Sequence, residues 1–226
     1  MGIPHIRNPM ILLWLFSLAE PQGFSEQNLP PSFGVVQGRV VDELGKPLAG
    51  ARVYAEPVDV RDSPTGKLHF VMTKDDGDFT LEQVAPGMNV ICASKEEAFY
   101  PDTGAAALAT DLTALPRVRV KEGGLTPGVT VVLTKGGKLT GSILNSLNGE
   151  PVKNSRIRLS RSDDPRLYIS TGPDEQARFQ FVVPSKAFRL QVTAPGYKTW
   201  NSDDHGAAIL VQPESTKELS IRLQAD

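Results

Sequence analysis

Apolar residues fall on alternate positions along most of the chain: Ala51, Val53 and Ala55; Phe70 and Met72; Phe79 and Leu81; Val129, Val131 and Leu133. The second half repeats the habit at Ile157 and Leu159, Leu167 and Ile169, Phe179 and Phe181, Leu190 and Val192, and Leu219, Ile221 and Leu223. A period of two is that of strands with one buried face. Turn formers separate the runs: Leu44-Gly45-Lys46-Pro47, Asp75-Asp76-Gly77 and Ala85-Pro86-Gly87. Asp76-Gly77 between Thr73 and Phe79 predicts a hairpin, because glycine tolerates the positive φ of such turns. Asn89-Val90-Ile91-Cys92-Ala93 reads as a buried strand. The nearest approach to a helical stripe is Ala105 through Leu115, enough for one or two turns before Pro116.

The pattern is written twice. Val36-Gln37-Gly38-Arg39-Val40-Val41-Asp42 and Gly45-Lys46-Pro47 through Val53 are answered, about 103 residues later, by Leu139-Thr140-Gly141-Ser142-Ile143-Leu144-Asn145 and Gly149-Glu150-Pro151 through Ile157. Asp76-Gly77-Asp78-Phe79-Thr80-Leu81 is answered by Glu175-Gln176-Ala177-Arg178-Phe179-Gln180-Phe181, and the closing Val129-Val131-Leu133 by Leu219-Ile221-Leu223. About seven short strands per hundred residues predict two tandem all-β, seven-stranded-type antiparallel β-sandwiches with an Ig-like Greek key. The expected boundaries are 34–135 and 136–226, with the two units in contact across Lys135-Gly136-Gly137-Lys138.

At the N-terminus, His5 and Arg7 precede the apolar run Pro9 to Ala19. That run is shorter than the ~20 residues a bilayer span takes and fits a Sec-type signal peptide over 1–19. Ser17-Leu18-Ala19 offers small residues for cleavage after Ala19, and Gly23-Phe24-Ser25 is an alternative site. Residues 20–33, polar and bearing proline, read as a flexible linker. The expectation is a secreted or periplasmic protein with no membrane span after signal removal.

Charge and composition mainly exclude. A net charge of −2 without a basic cluster gives no footprint for nucleic acid. A lone cysteine, Cys92, cannot form an intrachain disulfide and is expected as a small buried hydrophobe. Beyond the leader only His69 and His205 remain, one per half, too few for a catalytic zinc with three protein ligands. Ser202, Asp203 and His205 lie too close in sequence to form a nucleophile relay. Asp75, Asp76 and Asp78 supply fewer oxygens than a calcium site takes. No enzyme activity, metal or cofactor is expected.

Gly38-Arg39-Val40-Val41-Asp42 followed by Gly45-Lys46-Pro47-Leu48-Ala49-Gly50-Ala51-Arg52-Val53 resembles the opening of carboxypeptidase regulatory-like domains. Thr73, Asp76-Gly77-Asp78-Phe79-Thr80-Leu81 and Val84-Ala85-Pro86-Gly87 are similar to that family's central hairpin and turn. Phe188, Leu190, Val192 and Ala194-Pro195-Gly196-Tyr197 resemble its strand exit. The resemblance spans about 35–226 as two tandem copies, and Ala98-Phe99-Tyr100 stands where Pro-Gly-Tyr is expected. It implies a transthyretin-like (prealbumin-like), carbohydrate-binding-type sandwich of a bacterial secreted protein, serving as a structural, folding-assistance or ligand-contact module. No peptidase domain or anchor is read after Asp226. Related adhesin domains carry a Lys–Asn isopeptide bond assisted by an acid, and Leu190-Gln191-Val192-Thr193 has no acid, so no crosslink is expected.

The expected function is therefore a non-catalytic structural or interaction module contacting an envelope or extracellular protein or polymer. The alternative is a carbohydrate-binding protein in which Tyr197, Trp200 and Tyr168 stack on sugar rings, with Phe99 and Tyr100 as counterparts in the first copy. A third reading is an accessory subunit of a separately encoded hydrolase. In the bland reading, Tyr197 caps the core and Trp200 covers a sheet edge.

Overall fold

The structure, a computed structural model, describes residues 32–58, 69–105, 115–206 and 208–226. The expected signal peptide (1–19), nearly all of the linker (20–33) and most of the helical-turn stretch after Ala105 lie outside the described residues.

The described chain is all β apart from short 3₁₀ turns. Its first half holds β1 (Gly34–Asp42), β2 (Arg52–Pro57), β3 (Phe70–Met72), β4 (Asp78–Val84), β5 (Gly87–Ser94), β6 (Arg117–Val120) and β7 (Leu125–Leu133). These form a three-stranded sheet, β4-β1-β7, and a four-stranded sheet, β3-β2-β5-β6. The second half holds β8 (Gly137–Asn145), β9 (Arg156–Arg161), β10 (Tyr168–Thr171), β11 (Arg178–Val183), β12 (Ala187–Thr193), β13 (Trp200–Asn201), β14 (Ile209–Leu210) and β15 (Thr216–Leu223). It repeats the arrangement as β11-β8-β15 and β10-β9-β12-β13, with β14 also on β12.

Each half closes on its own core. In the first, Val36, Val40, Phe79, Leu81, Val131 and Leu133 meet Ala51, Val53, Ile91 and Ala93. In the second, Leu139, Ile143, Phe179, Phe181, Ile221 and Leu223 meet Ile157, Leu159, Phe188, Leu190 and Val192. These are the alternating positions of the sequence, and burying them is the main term holding each sandwich together.

Two expectations need correction. The sheets are not wholly antiparallel: β7 runs parallel to β1, and β15 parallel to β8. Alternation fixes which face a strand buries and carries no information on its direction. The Asp76-Gly77 segment does turn, with Lys74 N–H bonded to the Asp78 carbonyl and Gly77 N–H to that of Lys74, both 2.9 Å. Its arms do not pair with each other, however. β3 pairs with β2 and β4 with β1, so the turn carries the chain from one sheet to the other.

The same turn recurs at Asp174–Arg178, with bonds of 2.8 and 2.9 Å. Gly77 sits at φ +78° and its counterpart Ala177 at +58°. In both sandwiches the carbonyl of this residue accepts a 2.9 Å bond from β1 or β8, at Val40 and Ile143 respectively. Gly38 and Gly141 also correspond. A Cβ on either would collide with a carbonyl of the parallel neighbour, Val129 or Leu219, and with the ring of Phe79 or Phe179. Glycine is needed there for close approach.

The halves touch at their junction. Gly136 N–H bonds to the Phe99 carbonyl at 2.8 Å, Lys135 pairs with Glu214, and the Lys138 ammonium lies 4.9 Å from the Phe99 ring centroid. Ala105 packs against the second core.

Candidate functional site: the outer faces of the two larger sheets

In β2 and β9 one side of the alternation enters the core, so the other side forms the outer face of the larger sheet. Register makes the two faces comparable. Tyr54 lies opposite Cys92 in the first sandwich, and Arg158 opposite Gln191 in the second. Their surroundings differ.

In the first sandwich Asp102, Thr103 and Gly104 run along the edge of β5 and meet the Tyr54 hydroxyl on this face. Tyr54 O–H donates to Asp102 Oδ1 at 2.6 Å, and Gly104 N–H donates to the same oxygen at 3.0 Å. Thr103 fixes the segment to β5, its N–H bonding to the Ala93 carbonyl at 3.1 Å and its hydroxyl accepting from Ala93 N–H at 3.0 Å. Gly104 passes so near the Tyr54 hydroxyl that it has no room for a side chain. Tyr54 and Cys92 are buried in consequence. Burial raises the Tyr54 phenol and the Cys92 thiol well above their ordinary values. It raises the half-buried Glu56 carboxyl too, helped by the charge of Asp102. The expected burial of Cys92 is thus present.

In the second sandwich the corresponding positions are open. Arg158, Arg189, Gln191, Asn201, Asp203 and Asp204 line a groove of about 360 Å³ together with Ser160 and Pro165, and Asn201 Nδ2 donates to Asp204 Oδ2 at 3.1 Å. Arg189 pairs with Asp203 at 3.2 Å, and Gln191 donates to Asn201 Oδ1 at 3.0 Å. The Arg158 guanidinium lies 3.8 Å from the ring centroid of Tyr168, which is 49% exposed on β10. Arg156 and Arg158 have no carboxylate partner among the described residues.

The three aromatics singled out in the sequence are not brought together. Tyr168 pairs with Ser160, on the outer face. Trp200 pairs with Val192, whose side chain is in the core, so it faces the other way; it packs against the core edge and stacks on His205 at 5.0 Å. Tyr197 also packs against the core, and its hydroxyl accepts from Asn145 Nδ2 at 3.2 Å. Their counterparts are less open still: Tyr100 is buried in the first core and Phe99 lies beneath Lys138. Sequence reasoning missed Arg158, Arg189, Gln191 and Asn201. The signal was available in the polar alternates of Arg156-Ile157-Arg158-Leu159 and Arg189-Leu190-Gln191-Val192.

The remaining candidate groups are occupied singly. Ser202 is buried and accepts from Leu190 N–H at 3.0 Å, Asp203 pairs with Arg189, and His205 stacks on Trp200. Asp78 pairs with Arg39 at 2.6 Å, and Asp76 caps its own turn by accepting from Asp78 N–H at 3.0 Å. His69 is exposed beside β3. Among the described residues no three His, Cys, Asp or Glu side chains cluster as metal ligands. No described helix is long and apolar enough to cross a membrane.

Residues 35–105 match the carboxypeptidase regulatory-like domain. The match begins in β1 of this regulatory-like segment and ends at Ala105, one residue after Gly104. No curated protein matches the chain. Among solved structures it is similar to the Bacillus anthracis TIE protein at 15% identity and a TM-score of 0.36, over 86% of this chain and 34% of that one. It is also similar to the shaft pilin SpaA of Lactobacillus rhamnosus GG, at 13% identity and a TM-score of 0.33, over 87% of this chain and 98% of that one. A streptococcal ancillary pilin matches at 11% identity and a TM-score of 0.32, over 88% and 64%. The chain thus spans about a third of the TIE protein's length and less than two thirds of the ancillary pilin's.

Proposed function

We propose that the protein is a non-catalytic interaction module acting outside the cytoplasm, which contacts an envelope or extracellular protein or polymer through the outer face of β9, β10 and β12. The observation that supports this reading is the contrast between two sandwiches built alike. Tyr54 and Cys92 are buried where Asp102 and Gly104 meet the Tyr54 hydroxyl, whereas Arg158 and Gln191 are exposed on a face bordered by guanidinium, amide, carboxylate and aromatic groups. An arginine stacked on an exposed tyrosine is the kind of anchor that binding surfaces use. Domains 34–135 and 136–226 then act as one linked pair. The test is retention of the purified chain on envelope fractions, compared with an Arg158→Ala/Tyr168→Ala double variant. Retention that weakens in the variant supports the reading; equal retention, or none, contradicts it.

A second reading, a carbohydrate-binding protein, draws on the exposed ring of Tyr168, with Tyr197 and Trp200 in supporting positions. Sugar stacking on Trp200 would shift its emission in a glycan titration. An unchanged spectrum across a panel of neutral and acidic glycans removes that role for Trp200.

A further inference from the structure

The covering segment of the first sandwich closes on a cluster of titratable groups. Asp102 Oδ1 accepts from the Tyr54 hydroxyl at 2.6 Å and from Gly104 N–H at 3.0 Å, and Thr103 ties the segment to Ala93 on the β5 edge. A Cβ on Gly104 would stand 3.2 Å from Cys92 Sγ and nearer still to the Tyr54 hydroxyl, so the backbone of this residue seals both side chains. Glu56 shares the face, next but one to Tyr54 on β2, and is half-buried. Burial first and the charge of Asp102 second raise its carboxyl above the ordinary range. Glu96, at the start of the 3₁₀ turn Glu96–Ala98, is raised by burial and then by Asp102. Glu97 adds to that rise, while Arg52 of β2 and Lys138 of β8 offset it only in part. Tyr54 and Cys92 stay neutral, because burial raises both well above their ordinary values.

A charge on Glu56 meets the Asp102 carboxylate only while the segment is closed. Lifting Asp102–Gly104 off Tyr54 removes that repulsion and lets water reach the Glu56 carboxyl, so ionisation favours the open form and protonation the closed one. We propose that Asp102–Gly104 is an acid-tightened latch, which holds Tyr54 and Cys92 sealed when Glu56 is protonated and opens locally when Glu56 and Asp102 are both ionised. Glu96 adds to the same effect from the turn beside it. Closure from this source is complete below the ordinary glutamate value and weakens as pH rises through the folded value of Glu56. The open form is a small minority throughout, as local openings of a folded chain are, and pH sets the size of that minority.

Cys92, the one thiol of the chain, reads the latch in the full-length protein. Its slow rate with dithiodipyridine in the native state, divided by the rate in the unfolded chain at the same pH, gives an opening constant free of the thiol's own ionisation. That constant should rise about threefold or more from about pH 5 to about pH 8. It should also be insensitive to low concentrations of denaturant, as a local opening is. Glu56→Gln should lower the constant at the upper pH and flatten most of the rise, and Glu56→Gln combined with Glu96→Gln should remove the remainder. Asp102→Asn, which takes away the charge that Glu56 meets, should flatten the rise whatever level it sets. A constant that ignores pH, a rise that survives the double glutamine variant, or a rate that follows denaturant as steeply as global unfolding overturns the proposal.

Discussion

Ala177 and Gly77 hold the same place in the two cross-sheet turns, one with a side chain and one without. A Cβ on Gly77 would stand 2.7 Å from the Val40 carbonyl, in a backbone region where side chains are already strained. Gly77→Ala is expected to destabilise the first sandwich by about 2 kcal/mol, read from the denaturant midpoint. Ala177 accepts the strain, and its buried methyl joins the second core. Ala177→Gly should therefore change stability by less than about 1 kcal/mol, since relief of the left-handed strain offsets the lost methyl. The sequence carries this pair only in part. Asp-Gly announces a turn through the torsional freedom of glycine, while Glu175-Gln176-Ala177 announces nothing, because a tertiary contact and not local propensity holds Ala177 there. Trp200 illustrates the same limit at the candidate site. Its side chain is legible as aromatic, but only register with Val192 says which face it occupies.

The covering segment carries its predictions at the level of an element. Tyr54→Phe removes the 2.6 Å bond to Asp102 and leaves a carboxylate oxygen short of a partner, so a loss of about 1–2 kcal/mol is expected. Cys92 should resist a thiol reagent in the native protein and react on unfolding. Glu56 gives this region a pH signature. Its folded-state pKa is raised, by burial first and by Asp102 second, so its ionisation opposes folding. Stability from this group is complete below its ordinary value and falls as pH rises through the folded value. The melting temperature should thus rise on going from about pH 7 to pH 5, and Glu56→Gln should flatten that rise. The lowered carboxyls act in a different window. Asp163 is held down to about 2 by hydrogen bonding to Arg161, and Asp78, Asp164 and Asp174 are lowered too. Their contribution is present above the ordinary aspartate range and is lost only in stronger acid. Strand β6 shows how much of an element can be read: Arg117-Val118-Arg119-Val120 alternates plainly, yet it is short and isolated, and only its pairing with β5 makes it a strand. The two-residue β13 and β14 have too few positions to show any period.

Across the whole described molecule, the junction joins two cores that could otherwise melt apart. Lys135–Glu214, the Gly136–Phe99 bond, Lys138 over Phe99, and Ala105 on the second core all bridge the halves. Calorimetry of the native chain should show one cooperative transition. Phe99→Ala combined with Lys135→Glu should split it into two or broaden it, and a double variant that still melts as one unit would place the coupling elsewhere. The two-fold repetition was legible from Gly38 and Gly141, from the Pro-bearing turns and from the alternate apolar residues. Strand direction was not, because β1 and β7 would bury the same residues whichever way they ran. The asymmetry between the faces was equally hidden: it depends on Asp102 and Gly104 meeting the Tyr54 hydroxyl, which periodicity does not record.

That asymmetry underlies the proposed function, and the four tyrosines report on it. Nitration of the native protein, followed residue by residue with mass spectrometry, measures which rings solvent reaches. Tyr168 should be modified first and Tyr197 more slowly, with Tyr54 and Tyr100 protected until the chain unfolds. Tyr54 reacting as fast as Tyr168, or a protected Tyr168, would contradict a sealed first face and an open second one.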